Sequence, residues 1–217
     1  MEKKLKVGII GSGVVGQQLG LGFLKSGHEV KIGTRNPGKL NEWLKSAGKN
    51  ASVGSISEAA SFGEIIILAV SYKGVKNALD LAGKENLKGK ILIDVTNPLD
   101  HSKGRPPKFA VSLGNSLGEQ VQHWLPDSKV VKAFNMINAY IMINPKREEG
   151  IPDLFIAGND EVAKKLVTGI ALKWGWASVI DMGDISMSYW LETLAMTWIY
   201  FGFKYNIWTH AFKLLRK

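Results

Sequence analysis

Short apolar runs alternate with amphipathic segments through most of the chain. The run Ile65 to Val70 is unbroken, which is typical of a central parallel strand buried on both faces. Leu40, Trp43, Leu44 and Ala47 instead have the spacing of an amphipathic helix. We predict strands over residues 5–10, 29–32, 51–56, 65–70, 91–95, 129–134, 154–157 and 176–180. We predict helices over residues 14–26, 40–47, 57–62, 75–82, 117–124 and 161–173. This alternation predicts an α/β fold with a doubly wound parallel sheet.

The pattern changes from about residue 185. Residues 186–215 carry few charges, and their apolar positions fall on more than one face of a predicted helical segment. A helix that is apolar all round must be buried. We therefore predict a sheet domain over residues 1–184 and a helical extension over residues 185–217. Packing on the sheet is one way to bury the extension, but its aromatic enrichment favours a homodimer interface. Its aromatic residues are Tyr189, Trp190, Trp198, Tyr200, Phe201, Phe203, Tyr205, Trp208 and Phe212.

A glycine-rich turn joins the first predicted strand to the first predicted helix. Gly11, Gly13 and Gly16 match the G-x-G-x-x-G fingerprint, in the strand-to-helix context that the motif requires. The first glycine permits the tight turn, the second lets the backbone approach a pyrophosphate, and the third allows close helix–strand packing. The helix N-terminus offers free N–H groups to the anion. This context favours a dinucleotide-binding, Rossmann-type domain over a glycine turn without a ligand. The predicted binding residues here are Gly11, Ser12, Gly13, Val14, Val15 and Gly16.

The residues after the second predicted strand indicate which dinucleotide is bound. An NAD-binding domain usually has Asp or Glu about 20 residues past the glycines, where it binds the ribose 2′-OH. Here that place holds Gly33, Thr34, Arg35 and Asn36, with no acid. Thr34 and Asn36 can donate hydrogen bonds to a 2′-phosphate, and Arg35 can pair with it or stack on adenine. We therefore predict NADP(H) rather than NAD(H), with a merely solvated Arg35 as the alternative.

The amino-acid composition limits which binding partners and which cellular compartment we expect. The 217 residues include no cysteine and carry a formal net charge of +9. The lysines form no basic stripe, so we expect no nucleic-acid partner, although positive charge suits anionic small ligands. No stretch approaches the roughly 20 apolar residues that span a bilayer, and no cleavage-type signal begins the chain. We therefore expect no membrane partner and, in a cysteine-free chain, a reducing cytoplasm.

Candidate catalytic groups are few. The histidines lack metal-ligand spacing, and no Gly-x-Ser-x-Gly elbow occurs, which argues against a zinc site and a serine hydrolase. Asp94 ends a predicted strand and is either an acid–base group or, as we favour, an acceptor for backbone N–H groups of the following loop. Lys132 and Asn135 lie near the end of another strand, where ligands bind in open α/β sheets. Residues 96–115 form a long loop rich in Pro and Gly, typical of a lid or binding loop.

These motifs together resemble, over nearly the whole chain, the NADPH-dependent reductases of the deazaflavin coenzyme F420. They are also similar to the cytosolic oxidoreductase domain of the six-transmembrane metalloreductases. The matching segments are residues 11–16, 33–37, 94–98, 131–135 and 180–183, with Ser186, Ser188 and Glu192. The resemblance implies a dimeric oxidoreductase that takes hydride from NADPH, with Thr34 and Arg35 on the 2′-phosphate. It implies that Ala69, Val70 and Ser71 flank the ribose and nicotinamide. It also implies that Asn97, Pro98, Phe134 and Asn135 border the pocket for a second, stacked ring.

Three functions stay open at this point. The first is hydride transfer between NADP(H) and coenzyme F420, or a flavin or flavin-mediated metal chelate, with the protein supplying only proximity and orientation. The second is a 3-hydroxyacid dehydrogenase or imine reductase, which needs an acid–base pair such as Lys-x-x-x-Asn on a C-terminal helix; Lys204 and Asn206 have the wrong spacing. The third is a non-enzymatic module that senses NADP(H).

Overall fold

The computed structural model describes residues 3–215 and contains an eight-stranded sheet with a separate two-stranded hairpin. The strands are β1 (Lys6–Ile10), β2 (Glu29–Gly33), β3 (Ala51–Gly54), β4 (Ile65–Leu68), β5 (Ile91–Asp94), β6 (Leu99–Asp100), β7 (Lys108–Phe109), β8 (Lys129–Lys132), β9 (Asp153–Gly158) and β10 (Ser178–Asp181). The helices are α1 (Val14–Lys25), α2 (Asn41–Ala47), α3 (Ile56–Phe62), α4 (Val75–Ala82), α5 (Lys84–Leu87), α6 (Leu117–Trp124), α7 (Glu161–Lys173) and α8 (Ser188–Tyr205). The large sheet has the order β10-β9-β8-β5-β4-β1-β2-β3. The predicted doubly wound α/β fold is confirmed.

Two hydrophobic cores lie on opposite faces of this sheet. Along β4, Ile65 and Ile67 belong to one core, and Ile66 and Leu68 belong to the other. The first core packs against α1, α2 and α7, and the second packs against α3, α4 and α6. Because successive side chains of a strand point to opposite faces, a strand buried on both sides must be apolar throughout.

The sheet is mostly parallel, and its last two strands, β9 and β10, run against the other six. β8 pairs antiparallel with β9, with Val131 opposite Gly158, and β10 runs parallel to β9. A parallel return requires a crossover, usually a helix. Residues 133–152 contain turns and no helix. The chain therefore starts β9 from the edge at which β8 ends.

Two further segments differ from the sequence-based predictions. The long loop contains the β6–β7 hairpin, in which Leu99 pairs with Phe109. The C-terminal region is not helical throughout, because α8 ends at Tyr205 and the next residue, Asn206, has the left-handed conformation (φ 52°) that stops a helix. Residues 207–215 then run back along the molecule, and the Asp153 N–H donates to the Phe212 carbonyl at 3.1 Å.

The helical extension packs on the sheet domain. Contacts join α8 to β9 and to α6. The short 3₁₀ turn Ile185–Met187 precedes α8, and the division into two units at residue 184 stays a prediction. Residues 1–2 and 216–217 of the two predicted units lie outside the described residues. Among the helices described, none has the length and apolar character to cross a membrane.

Candidate functional site

Two adjoining cavities lie where β1, β2, β4 and β5 end. Cavity A has a volume of about 580 Å³, and cavity B has a volume of about 270 Å³. Cavity A is lined by Gly11, Ser12, Gly13, Gly33, Thr34, Arg35, Asn36, Lys39, Ile56, Ala69, Val70, Ser71, Gly74, Asn77 and Ala78. Cavity B is lined by Gly13, Val14, Val15, Ala69, Val70, Ser71, Tyr72, Val95, Thr96, Asn97, Leu99 and His101. The cavities share four residues and lie at the carboxyl edge, where open α/β sheets bind ligands.

The three glycines of the first turn have different surroundings. Gly11 has φ +124°, and a Cβ there would lie 2.1 Å from the Ala69 carbonyl oxygen. A Cβ at Gly16 would lie 2.2 Å from the Gly11 carbonyl oxygen. A Cβ at Gly13 would have no atom within 4 Å, and φ there is −74°, which any residue can adopt. The protein itself therefore requires Gly11 and Gly16, whereas Gly13 leaves open the space shared by both cavities.

The N-terminus of α1 borders this shared space, because its N-cap residue lines both cavities. Its N-cap residue, Gly13, provides no side-chain cap, and no acidic residue occupies the first turn. Uncapped N–H groups and the helix dipole favour an anion at such a position. The residues present therefore fit a pyrophosphate.

Polar and cationic side chains cluster on the far wall of cavity A. Thr34 Oγ1 donates to Ser12 Oγ at 3.0 Å and accepts from the Asn36 N–H at 3.1 Å. Because Ser12 Oγ accepts this bond, its own hydrogen is available to an anion. Arg35 and Lys39 are exposed side chains on the same wall. This wall fits a phosphate ester.

Lys39 was missed in the sequence analysis. It lies on the 3₁₀ turn Pro37–Leu40 that leads into α2. The turn that begins at Pro37 places Lys39, the next cationic residue of the chain, on the same cavity as Arg35. The sequence signal was therefore the Pro-Gly-Lys triplet after Asn36.

Cavity B has mainly apolar walls, and an ion pair joins the segments that border it. Lys73 Nζ lies 3.3 Å from Asp100 Oδ1, which links the turn Tyr72–Gly74 to β6. Hydrogen bonds from the Ser102 hydroxyl and N–H, together with Lys73, lower the pKa of Asp100 to about 2. His101, the residue after Asp100, also lines this cavity.

The four residues expected to border a second-ring pocket are in different places. Asn97 lines cavity B. Pro98 is buried, and its carbonyl accepts from the Ala110 N–H at 3.0 Å. Asn135 is buried against Asn97, and its Nδ2 donates to Asn97 Oδ1 at 2.9 Å.

Phe134 is a correction to the expected pocket. Its side chain is 1% exposed, and its ring packs in the core 5.5 Å from the Trp174 ring and 6.0 Å from the Trp176 ring. The backbone at Phe134 has φ 59°, a left-handed conformation that is unusual for a bulky residue. The ring therefore borders neither cavity.

Three ionisable groups behind cavity B are fully buried, and the sequence analysis did not bring them together. Lys132 Nζ lies 2.7 Å from Asp94 Oδ2 and 2.9 Å from Glu192 Oε1. Burial alone would lower the pKa of Lys132, but the two carboxylates outweigh it and raise that pKa. Burial raises the pKa of Glu192, against the opposing effect of Lys132. Asp94 Oδ1 accepts from the Thr96 N–H at 2.9 Å, which confirms the predicted role of Asp94 in the loop.

The remaining candidates lie away from both cavities. Lys204 and Asn206 are exposed at the end of α8, and Lys204 Nζ lies 5.5 Å from the Tyr205 ring centroid. Neither residue lines cavity A or cavity B.

Comparisons with known proteins agree with this geometry. Residues 6–98 match the family of coenzyme F420-dependent NADP oxidoreductases. An F420-dependent NADP reductase of Methanocaldococcus jannaschii is 30% identical over 213 residues, which covers 93% of this chain and 94% of that protein. The metalloreductase STEAP3 of Rattus norvegicus is 31% identical over 88% of this chain, which spans only 36% of that longer protein. The solved structure of a candidate F420-dependent NADP reductase from Arthrobacter sp. FB24 is 36% identical, with a TM-score of 0.93, and covers 98% of this chain and 100% of that chain.

Proposed function

This chain belongs to the family of F420-dependent NADP reductases, and we propose that it transfers a hydride between NADP(H) and coenzyme F420 or a flavin-like ring. The observation that carries the proposal is the junction of the two cavities. Cavity A offers hydroxyl groups, two cations and a helix N-terminus, whereas cavity B offers mainly apolar walls. A dinucleotide with a charged end and a planar reactive end requires this pair of environments.

The residues of cavity A would hold the charged end. Ser12 and Asn36 would donate hydrogen bonds to the 2′-phosphate, with Thr34 holding the Ser12 hydroxyl in place, and Arg35 and Lys39 would neutralise its charge. The N–H groups of Val14, Val15 and Gly16 would bind the pyrophosphate, with Gly11 and Gly16 shaping the turn and Gly13 leaving the approach open.

The residues of cavity B would hold the reactive end. Ala69, Val70 and Ser71 would flank the ribose and nicotinamide, and Val14 and Leu99 would exclude water from the ring. Bound NADPH would supply the hydride. Asn97, with Pro98 and Asn135 behind it, would fix the wall against which the acceptor ring lies. Holding two rings in reacting orientation can supply several kcal/mol, on the order of 7–11 at best, without a proton-transfer group.

The positions of the rejected acid–base candidates favour this function over the second enzyme class. A 3-hydroxyacid dehydrogenase or imine reductase needs its acid–base pair beside the nicotinamide. Lys204 and Asn206 are at the exposed end of α8, outside the walls of cavity B. A flavin-like acceptor, which needs only stacking, makes no such demand. A non-enzymatic NADP(H) sensor would bind the cofactor equally well but would show no turnover.

We also infer a homodimer in which residues 185–217 are the dimerising segment, and a cytoplasmic location. The outward face of α8 supports the dimer, because it leaves large aromatic side chains 39–54% exposed. These residues are Trp190, Tyr200, Phe201, Phe203 and Tyr205. Exposed aromatic surface of this kind marks interaction sites. A chain without cysteine suits the reducing cytoplasm.

An acceptor panel tests the proposed function. NADPH oxidation would be followed with coenzyme F420, FMN, riboflavin, a 3-ketoacid and a cyclic imine, under identical conditions. We expect turnover with F420 first and with the flavins second. Gly13→Val protein, expressed and purified by the same procedure, controls for contaminating reductases. Turnover confined to the imine or ketoacid would overturn the proposal, and NADPH binding without any turnover would indicate a sensor.

A further inference from the structure

The buried cluster of Asp94, Lys132 and Glu192, here called the buried triad, surrounds one ammonium group with three oxygens. Lys132 Nζ lies 2.7 Å from Asp94 Oδ2, 2.9 Å from Glu192 Oε1 and 3.0 Å from the Thr96 carbonyl oxygen. An ammonium has three hydrogens to donate, so this set of acceptors matches its capacity. The three side chains are 0% exposed and come from the ends of β5 and β8 and from α8.

Stability alone is a poor explanation for the buried triad. Burying charges costs desolvation free energy, and apolar residues of similar volume often stabilise a core as well or better. The extra negative charge of the triad needs a further partner. Glu192 finds one in α6, since it accepts from the Leu117 N–H at 3.0 Å and the Gly118 N–H at 2.9 Å. The N-terminus of a helix favours a carboxylate.

The residue that the triad holds is part of the wall of cavity B. Asp94 Oδ1 accepts from the Thr96 N–H at 2.9 Å and from Thr96 Oγ1 at 2.6 Å. Lys132 holds the carbonyl of the same residue. Both backbone polar groups and the hydroxyl of Thr96 are thereby fixed. Thr96 and the next residue, Asn97, both line cavity B.

A second route joins the same wall to α8. Asn97 Nδ2 donates to the Asn135 carbonyl at 2.6 Å, and Asn135 Nδ2 donates to Asn97 Oδ1. Asn135 Nδ2 also donates to the Leu191 carbonyl at 3.0 Å. Leu191 precedes Glu192 in α8. Two adjacent residues of α8 are therefore linked to the cavity wall, Glu192 through Lys132 and Leu191 through Asn135.

We propose that the buried triad is a positioning device that fixes residues 95–97 as the wall of cavity B and couples that wall to α8. Asp94, Lys132 and Glu192 are positioning residues rather than catalytic residues, because none of them lines either cavity. The inference rests on the proposed function only in assigning cavity B to the reacting ring. The triad acts on cavity B and leaves cavity A, with its Arg35 wall, unaffected.

The test compares triad variants with a matched buried lysine. Three variants weaken the contacts of the buried triad, each by a smaller chemical change than the one before: Lys132→Met, Glu192→Gln and Thr96→Val. Lys164→Met is the control, since Lys164 is also buried and lies 2.8 Å from both Glu161 Oε1 and Asp181 Oδ2. Asp181 ends β10, the outermost strand of the sheet and two strands away from β8, and Lys164 lines neither cavity.

Three measurements are made on each protein. Calorimetry gives the affinities for NADPH and for adenosine 2′,5′-bisphosphate, which carries only the groups assigned to cavity A. Stopped flow gives the single-turnover rate of hydride transfer across a pH series, and thermal unfolding gives stability. We expect an unchanged affinity for the bisphosphate and a weakened relative affinity for NADPH in the triad variants. Their hydride-transfer rate should fall up to about 100-fold, the effect of a misplacement near 1 Å.

The outcomes separate the proposal from its alternatives. A lower melting temperature with unchanged rate and unchanged affinity ratio, as expected for Lys164→Met, would show that the triad is merely structural. A changed shape of the pH profile would make one triad member an acid–base group and would overturn the positioning role. If the wild type transfers hydride to no acceptor, the ratio of NADPH to bisphosphate affinity still tests the proposal. If Lys132→Met does not fold, Thr96→Val removes only one hydrogen bond and gives the same test.

Discussion

The Thr34 hydroxyl donates to Ser12 Oγ at 3.0 Å, and this bond ties the end of β2 to the glycine turn after β1. The Thr34 N–H in turn donates to the Gly54 carbonyl at 3.0 Å. The threonine is 9% exposed, so it stiffens the wall of cavity A rather than reaching far into it. The neighbouring Arg35 side chain is exposed on that wall. Cofactor selectivity should therefore depend on Arg35.

Arg35→Ala should weaken NADPH binding by about 1.5–3 kcal/mol, the scale of a hydrogen bond to a charged group. NADH binding should change little, because NADH lacks the 2′-phosphate. Titration calorimetry with both cofactors measures the difference directly. Lys45→Ala is the control, since Lys45 is exposed, pairs with Glu42 and lies outside cavity A. Equal losses for both cofactors would mean that Arg35 contacts something other than the phosphate.

Gly13→Val should abolish dinucleotide binding while the fold survives. The new side chain would meet no protein atom at its Cβ but would occupy the space beside the α1 N-terminus. Gly16→Val should instead destabilise the protein, because its Cβ would lie 2.2 Å from the Gly11 carbonyl oxygen. Circular dichroism and NADPH titration of both variants separate the two effects. Unfolding of Gly13→Val would show that this glycine is structural.

The sequence predicted features that depend on neighbouring residues, but it did not predict features that depend on contacts between residues far apart in the chain. Gly11 and Gly16 were predictable because a tight turn and close helix packing each require a residue without a Cβ. The inward turn of Phe134 was not predictable, since it depends on a left-handed backbone and on two tryptophans of a later segment. Lys132 and Glu192 meet only through the tertiary fold, so no local pattern reports their contact.

The direction of β9 illustrates the same limit. Its apolar residues predict a strand but not its direction, because both directions bury the same side chains. The absence of a crossover helix in residues 133–152 was the available signal. The end of α8 was missed for a similar reason, since the aromatic pattern continues past it through Trp208 and Phe212. Asn206, a residue type that tolerates the left-handed conformation, was the sequence signal for the end of the helix.

Asp100 should titrate near pH 2 in the native state, against 3.8 for an ordinary aspartate. As the pH falls, the unfolded chain binds this proton at a higher pH than the folded protein does. The stabilisation that ionised Asp100 gives the fold is therefore complete above pH 3.8 and is lost as the pH falls through about 2. Carboxyl NMR of the labelled protein follows this titration. Ser102→Ala should raise the pKa of Asp100, because the hydrogen bond from the Ser102 hydroxyl is the largest single cause of the lowered value. A wild-type midpoint near 3.8 would contradict the contacts described for β6.

Sedimentation equilibrium at low micromolar concentration should give about twice the chain mass. Phe203→Glu together with Tyr200→Glu should shift the protein to a monomer, because a buried unpaired carboxylate opposes association. Leu172→Glu is the control, since Leu172 is 48% exposed on α7, away from the aromatic face. A monomeric wild type would mean that the aromatic face of α8 does not pair with a second copy.

The most direct test of the proposed hydride transfer is a single turnover with stereospecifically deuterated NADPH and coenzyme F420, with mass analysis of the reduced deazaflavin. We predict a primary deuterium isotope effect on the rate and deuterium recovered in the reduced acceptor, since the proposed mechanism transfers the hydride directly between the two rings. His101→Gln should retain most of this rate, because stacking requires no proton-transfer group. The proposed mechanism would be contradicted by loss of the deuterium to solvent or by no reaction with F420. It would also be contradicted if His101→Gln lowered the rate roughly 10²–10⁴-fold, which is the size of a missing general acid or base.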